Sequence, residues 1–260
     1  MMLEPLHIIW FPTLRCNLKC GHCAARQLSV EAHGAELPAE VWQEVFAKCP
    51  REVAALISSG REPTIYPGVR EVWESVDWPL KMETNLMVHP DTWYSDKIGE
   101  QLLNVKSCLH HHPLHKVAVN TYWPHLKWLR EHLPPEVPIQ TGIVMTQREL
   151  AEEGDIGEEK ALECGVKGFK RGSFDESFMY KDMPPLKPPV KLCAAGLRKV
   201  VLMPDGTAYR CVGHTYWQQQ PMGNVVTDGW GVLLEEPAPC DAVLCTACES
   251  PKNILDKKDA

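Results

Sequence analysis

Apolar residues along this chain gather into short runs separated by segments in which they recur every three or four positions. The run HIIWFPT at 7–13 comes first, and Leu37, Val41, Trp42, Val45 and Phe46 then share one helical face over Leu37–Lys48, behind Pro38, a residue suited to a first helical turn. The same unit recurs. VAALISSG at 53–60 precedes a helical Val69–Val76, LKMETNL at 80–86 precedes Trp93–Leu103, and VKSCLHHH at 105–112 precedes a long segment ending in HLKWLREHL. IQTGIVMT at 139–146 precedes Glu158–Cys164, and VKGFKRGSF at 166–174 closes the series. Strands that alternate with helices pair in parallel through right-handed crossovers, so six such units predict an α/β fold, a partial (β/α)6 TIM-like barrel.

Pro184, Pro185, Pro188 and Pro189 stop the repeat and predict a stiff linker at 184–192. The expected organisation is a barrel domain over 1–183 and a small domain over 193–260. In the second, CAAGLRKVVLMPDGTAYRC reads as a β-hairpin with strands KVVLM and AYR around a Pro204-Asp205-Gly206 turn, which brings Cys193 and Cys211 together.

Composition narrows the function. With 260 residues, 44% of them hydrophobic, the chain can bury a full core. A formal charge of −7 supplies no basic face and disfavours duplex nucleic acid as a partner. The start MMLEPLHIIWFPT has no basic n-region or cleavage site, and no long apolar span follows, so a cytoplasmic protein without membrane association is expected. An odd count of 11 cysteines in such a chain argues for metal ligation in a reducing compartment over a disulfide framework.

Cys16, Cys20 and Cys23 carry the sharpest chemistry. Their C-x3-C-x2-C spacing lets one short loop put three thiolates on three irons of a cubane, leaving the fourth iron open. Zinc is the competing reading, although zinc sites want four ligands and usually show two CxxC pairs. With His22 just before the third cysteine, the trio resembles the signature of the radical S-adenosylmethionine (SAM) superfamily. That resemblance implies a 4Fe–4S cluster whose open iron chelates the amino and carboxylate groups of SAM. It also implies reductive cleavage to a 5′-deoxyadenosyl radical, which abstracts a substrate hydrogen.

Further segments extend the likeness. Ser59 to Pro63, SSGREP, is similar to the family's GGEP motif, with Arg61 in place of the second glycine; the resemblance implies that Gly60, Glu62 and Pro63 receive the methionine part of SAM. Thr84-Asn85 is similar to the TNG motif, with Leu86 in place of glycine, and adds Asn85 to the cofactor-binding set. Barrel sites sit at the C-terminal strand ends. On that rule His110 to His112 and Gln140-Thr141 would lie near ribose and substrate. His110 and His112 share a face of an extended chain and are candidates for proton relay or hydrogen bonding, against the plainer reading of a solvated strand end. Lys170 and Arg171, near the sixth strand's end, are candidates to neutralise a carboxylate, against the reading of rim charges in water.

The pattern C-x12-G-x4-C from Cys193 to Cys211 matches the opening of the SPASM and twitch extensions of radical SAM enzymes, and MGNVVTDGW resembles the segment that follows there. The twitch form implies one auxiliary 4Fe–4S cluster on Cys193, Cys211, Cys245 and Cys248, closed to substrate and suited to electron transfer. Cys240 is then surplus: a structural thiol, a substitute ligand or a group near substrate. Cys49, Cys108 and Cys164 read as buried core thiols, and Trp42, Trp73, Trp93 and Trp128 as packing.

The expected activity is two-electron oxidation or cross-linking of a small metabolite or a peptide residue, with the auxiliary cluster as electron acceptor and a flavodoxin- or ferredoxin-type donor. Little chain precedes the first strand, which leaves no room for a leader-binding domain and tips the expectation toward a small molecule or a separately presented peptide. The alternatives are a redox-neutral epimerisation or rearrangement, and a non-catalytic iron–sulfur or zinc protein.

Overall fold

The computed structural model describes residues 4–20, 23, 25, 28, 30–33, 35–110, 115–146, 157–166, 169–174, 192–240 and 254–255. Its barrel strands are β1 (Leu6–Trp10), β2 (Val53–Ser58), β3 (Leu80–Thr84), β4 (Leu102–Ser107), β5 (Leu109–His110), β6 (Ile139–Gln140), β7 (Gly142–Thr146) and β8 (Lys170–Phe174). β1, β2, β3, β4 and β6 lie side by side in one sheet and β5, β7 and β8 in another, every pair parallel. Only Cys108 separates β4 from β5 and only Thr141 separates β6 from β7, so the two sheets are one wall of six broken or unbroken strands in chain order. That wall is the expected partial barrel.

One break falls beside, and the other at, a residue joined to a single buried phenol. Tyr122, in the helix His115–His132, receives a hydrogen bond from the Ser107 hydroxyl at 3.0 Å and shares another with Thr141. A buried tyrosine hydroxyl needs polar partners, and here they come from two neighbouring strand ends. The strand predicted at 105–112 therefore starts earlier and is divided, as is the one at 139–146. The helix predicted from Trp93 begins instead at Asp96, because the Ser95 hydroxyl caps it by accepting the Ile98 N–H, while Leu102 already belongs to β4.

Ile8 and Trp10 of β1, with Leu56, Leu80, Met82 and Val105, face the covering helices. Trp42, Val45 and Phe46 of the helix Ala39–Ala47 and Val72 and Trp73 of the helix Val69–Ser75 close this core. Trp10 meets Trp42 and Tyr66 edge to face at 5.5 and 5.8 Å, geometry that adds to area burial. Cys164 is part of the core and Cys49 packs at its rim, as expected. The alternate residues Ile9 and Phe11 lie on the other face of β1, where they cluster with Leu14, Ala25, Leu28, Val201, Met203 and Tyr209.

That second cluster unites the cysteine loop with the C-terminal hairpin. The remaining strands are β9 (Leu192–Cys193), β10 (Lys199–Leu202), β11 (Thr207–Tyr209), β12 (Gly223–Asn224), β13 (Ala238–Pro239) and β14 (Ile254–Leu255). β10 and β11 are the predicted hairpin. Gly206 turns it at φ +84°, where a Cβ would meet Asn224 and Val226 at 2.9 and 2.8 Å. β10 also runs parallel to β1, His7 opposite Lys199 and Trp10 opposite Leu202, so the hairpin continues the barrel sheet past its first strand. Residues 175–191 lie outside the described residues, and with them most of the predicted linker at 184–192. Among the described residues, no helix is long and apolar enough to cross a membrane.

Candidate active site

β1, β2 and β3 end side by side, and the loops leaving them carry Cys16 to Cys23, Gly60 to Pro63, and Asn85. Cys20 is buried and Cys16 and Cys23 are half-buried. His22 lies outside the described residues. Burial raises the Cys16 thiol, an effect the Leu18 N–H opposes by donating to its sulfur at 3.4 Å. Cys20 is pushed up to about 12 by burial first, and then by Cys23 and Cys16. Thiols held protonated in this way release their protons when a metal takes their place. Three thiols from one loop form the soft donor set that an iron–sulfur cluster takes.

The titration has a direct readout. Alkylation needs the thiolate, and a thiol with a pKa of about 12 is ionised to about one part in ten thousand at pH 8. In iron-free protein, mass-spectrometric mapping should find Cys20 among the slowest cysteines to react with iodoacetamide, its rate still rising about tenfold per pH unit between pH 9 and 11. Rapid labelling of Cys20 at pH 8 would contradict this environment.

The loop is held from several sides. At its neck, Arg15 donates through Nε and Nη2 to the two Glu36 oxygens, each at 2.7 Å, and the Thr13 hydroxyl also donates to Glu36. Arg61, standing where the motif has glycine, donates to the carbonyls of Ala25 and Leu28 at 3.2 and 3.3 Å and clamps the chain just past Cys23. From the hairpin, Asp205 bonds His33 Nδ1 at 3.2 Å and the Tyr209 hydroxyl pairs with His33 Nε2 at 3.1 Å. Gly60 adopts φ +102° against Phe11, whose ring a Cβ would meet at 2.7 Å.

Glu62 is fully buried and organises the remainder. Thr64 donates its N–H at 3.1 Å and its hydroxyl at 2.6 Å to Oε1, the Thr84 hydroxyl reaches the same oxygen at 2.8 Å, and the Asn85 N–H donates to Oε2 at 2.7 Å. Burial raises this carboxyl above its ordinary value and those donors oppose the rise. Pro63 sits in the first turn of a 3-10 helix, Pro63–Ile65, that Glu62 caps. Asn85, positioned by Glu62, extends its amide to Asn17 Oδ1 at 2.8 Å and to the Cys16 sulfur at 3.7 Å. Leu86, in place of the motif's glycine, still takes the left-handed conformation at φ +56°. Its N–H donates to Thr84 and its carbonyl accepts from His125, bonds that hold a conformation leucine disfavours.

Other candidates fall less centrally. His110 ends β5, and His112 lies outside the described residues. Thr141 is consumed by Tyr122, while Gln140 is exposed at the end of β6. Lys170 and Arg171 open β8 instead of closing it; barrel stagger sets exposed Lys170 beside Gly142, just past the break in the fifth strand. Cys108, expected in the core, is half-buried at the β4–β5 break and near enough to Cys20 to raise it further.

A second group of cysteines forms beyond the hairpin. Cys193 on β9 and Cys211, which caps the helix Val212–Tyr216 just past β11, are buried together with Ala195, and Cys240 packs against them. The Ala195 N–H donates to the Cys193 sulfur at 3.4 Å. Burial raises the Cys211 thiol, against the N–H groups of His214 and Gly213. Cys245 and Cys248 lie outside the described residues. Among the described residues, no three His, Cys, Asp or Glu side chains stand at the spacing of a single metal ion. Ligands on different corners of a cubane are spaced more widely than those of one ion, so buried thiols gathered with donated N–H groups fit a cluster's surroundings.

Arg15, Asn17, Arg61 and Arg210 went unremarked as holders of these loops. Their only signal in the sequence is adjacency to a cysteine or to the glycine of the second motif.

No family model and no curated protein sequence matches the chain. Solved structures do. Streptococcus suis SuiB bound to S-adenosylmethionine superposes with a TM-score of 0.56 at 15% identity, over 88% of this chain and 65% of that one, so the chain spans somewhat under two thirds of SuiB. The enzyme anSMEcpe with bound AdoMet gives 0.62 at 13% identity, covering 90% of this chain and 78% of the other. BtrN in complex with AdoMet and 2-DOIA gives 0.51 at 13%, covering 88% and 83%. These are radical SAM enzymes, and the fold of this chain is theirs.

Proposed function

We propose, from that shared fold, that the chain is a radical SAM enzyme catalysing a two-electron oxidation or cross-link on a peptide residue or small metabolite. One observation carries the reading: three thiols of a single loop at the end of β1, with the amide of Asn85 reaching across from β3 to the first of them. Cys16, Cys20 and Cys23 would hold a 4Fe–4S cluster, and Gly60, Glu62, Pro63 and Asn85 would take the amino-acid end of SAM. With one electron from a flavodoxin- or ferredoxin-type donor, cluster and SAM together supply a 5′-deoxyadenosyl radical that abstracts a substrate hydrogen.

The chain's own contribution is position. Gly60 lets the loop after β2 close against the Phe11 ring at a positive φ, which a side chain there would prevent. Glu62 also fixes Asn85 and Thr64 in place, while Oε2, which accepts one donor, retains acceptor capacity. Arg61 and the Arg15–Glu36 pair keep the cysteine loop over the barrel mouth. Cys193 and Cys211, with the late pair Cys245 and Cys248 that the twitch resemblance supplies, would hold an auxiliary cluster that accepts the electron left on the substrate. Bound molecules in related structures support both substrate classes, since SuiB is solved with the precursor peptide SuiA, anSMEcpe with the Cp18Cys peptide and BtrN with 2-DOIA.

Anaerobic reconstitution tests the reading. About eight irons and eight sulfides per chain are expected, with a low-temperature EPR change on SAM addition and 5′-deoxyadenosine formed under dithionite. A chain that binds zinc at the amino-terminal trio, or whose clusters leave SAM intact, is not this enzyme.

A further inference from the structure

We propose that Cys240 is a ligand of the auxiliary cluster, so that the C-terminal site is built on Cys193, Cys211 and Cys240. The inference rests on the reading that this region holds an auxiliary cluster, and it changes which thiols do so. Three separate features of the fold converge on Cys240.

The first is strand pairing. β13 lies antiparallel to β9, with Ala238 opposite Cys193 and Pro239 opposite Leu192, so the chain reaches Cys240 directly after running alongside Cys193. The second is packing. Cys240 touches the group formed by Cys193, Ala195 and Cys211 and remains half-buried, where a surplus thiol would be expected to have dispersed into the core or to the surface. The third is a buried cation. The guanidinium of Arg210 donates from Nε to the carbonyl of Ala195 at 2.8 Å, from Nη2 to those of Cys193 at 3.0 Å and Ala238, and from Nη1 to that of Pro239 at 2.6 Å. Arg210 immediately precedes Cys211, so one planar group ties the chain beside Cys211 to the backbone of Cys193 and to that of Pro239, just before Cys240. An iron–sulfur cube with thiolate ligands is anionic, and a cation buried beside it offsets the cost of taking that charge out of water. Arginine suits the task, because it stays protonated when buried and presents its donors as a rigid fork.

Ligation by Cys240 is tested by counting iron and recording auxiliary-cluster EPR on anaerobically reconstituted Cys240→Ala, with Cys49→Ala as a control that should match wild type. A fall from about eight irons toward about four, or to about seven with a three-iron signal, together with changed auxiliary EPR and an intact SAM-responsive signal, is the expected result. About eight irons with unchanged auxiliary EPR in Cys240→Ala would overturn the assignment while leaving the auxiliary cluster standing. About four irons in wild type would overturn both. Should the variant fail to fold, thiol mapping of wild-type holoenzyme decides: Cys240 should resist iodoacetamide until iron is chelated and then label at least tenfold faster, whereas equal labelling before and after iron removal refutes ligation.

Discussion

Replacing Cys16, Cys20 and Cys23 together by alanine should abolish SAM cleavage outright and remove about four of about eight irons per chain. The auxiliary signal should survive, because the C-terminal thiols are carried by other strands. Iron and sulfide analysis with a 5′-deoxyadenosine assay checks the expectation. The variant should also fold. Burial pushes Cys20 to about 12, so in iron-free protein it behaves as a small apolar residue that alanine replaces at modest cost. If the triple variant still cleaved SAM, the assignment of the catalytic cluster to this loop would fall.

Glu62→Ala should be the most damaging single change near the site that touches no thiol. It strands four donors, the Thr64 N–H and hydroxyl, the Thr84 hydroxyl and the Asn85 N–H, in a place closed to water. Unsatisfied buried groups cost about 1–3 kcal/mol each, partly recovered by relaxation, so a loss of about 3–5 kcal/mol is expected. Thermal denaturation should show it as a fall in Tm of about 10 °C. The chemistry should suffer as well, because Asn85 loses the bond that aims its amide at Asn17 and Cys16. Glu62→Gln, which keeps the shape and one acceptor, should cost less than half as much. Equal effects from the two variants would show that the retained shape and single acceptor count for little, and that the full carboxylate acceptor set is what this position requires.

The first five strands were legible because each holds a compact apolar run, the sixth, KRGSF, only as the close of the repeating series, and the cysteine loop because its spacing has few other uses. The strand breaks at Cys108 and Thr141 were not, since their associated contacts come from Tyr122, a partner distant in sequence. Arg61 looked like a departure from a glycine motif, yet it clamps Ala25 and Leu28, a bond visible only once the two loops lie side by side. Leu86 shows the converse. The glycine is absent from the sequence but its backbone conformation persists, held by Thr84 and His125. The sequence left Cys240 open between a structural thiol, a substitute ligand and a group near substrate, because the strand pairing that brings it toward Cys193 spans two residues and is too short to leave a pattern.

The hydrogen-bonded seam between β1 and β10 makes the two halves of this protein inseparable as recombinant fragments. A truncation ending at the proline stretch would strip the cover from the strand that launches the cysteine loop, and would expose Ile9, Phe11 and Leu14 along an unpaired edge. Such a fragment should precipitate, whereas co-expression with the missing piece should rescue it by strand complementation.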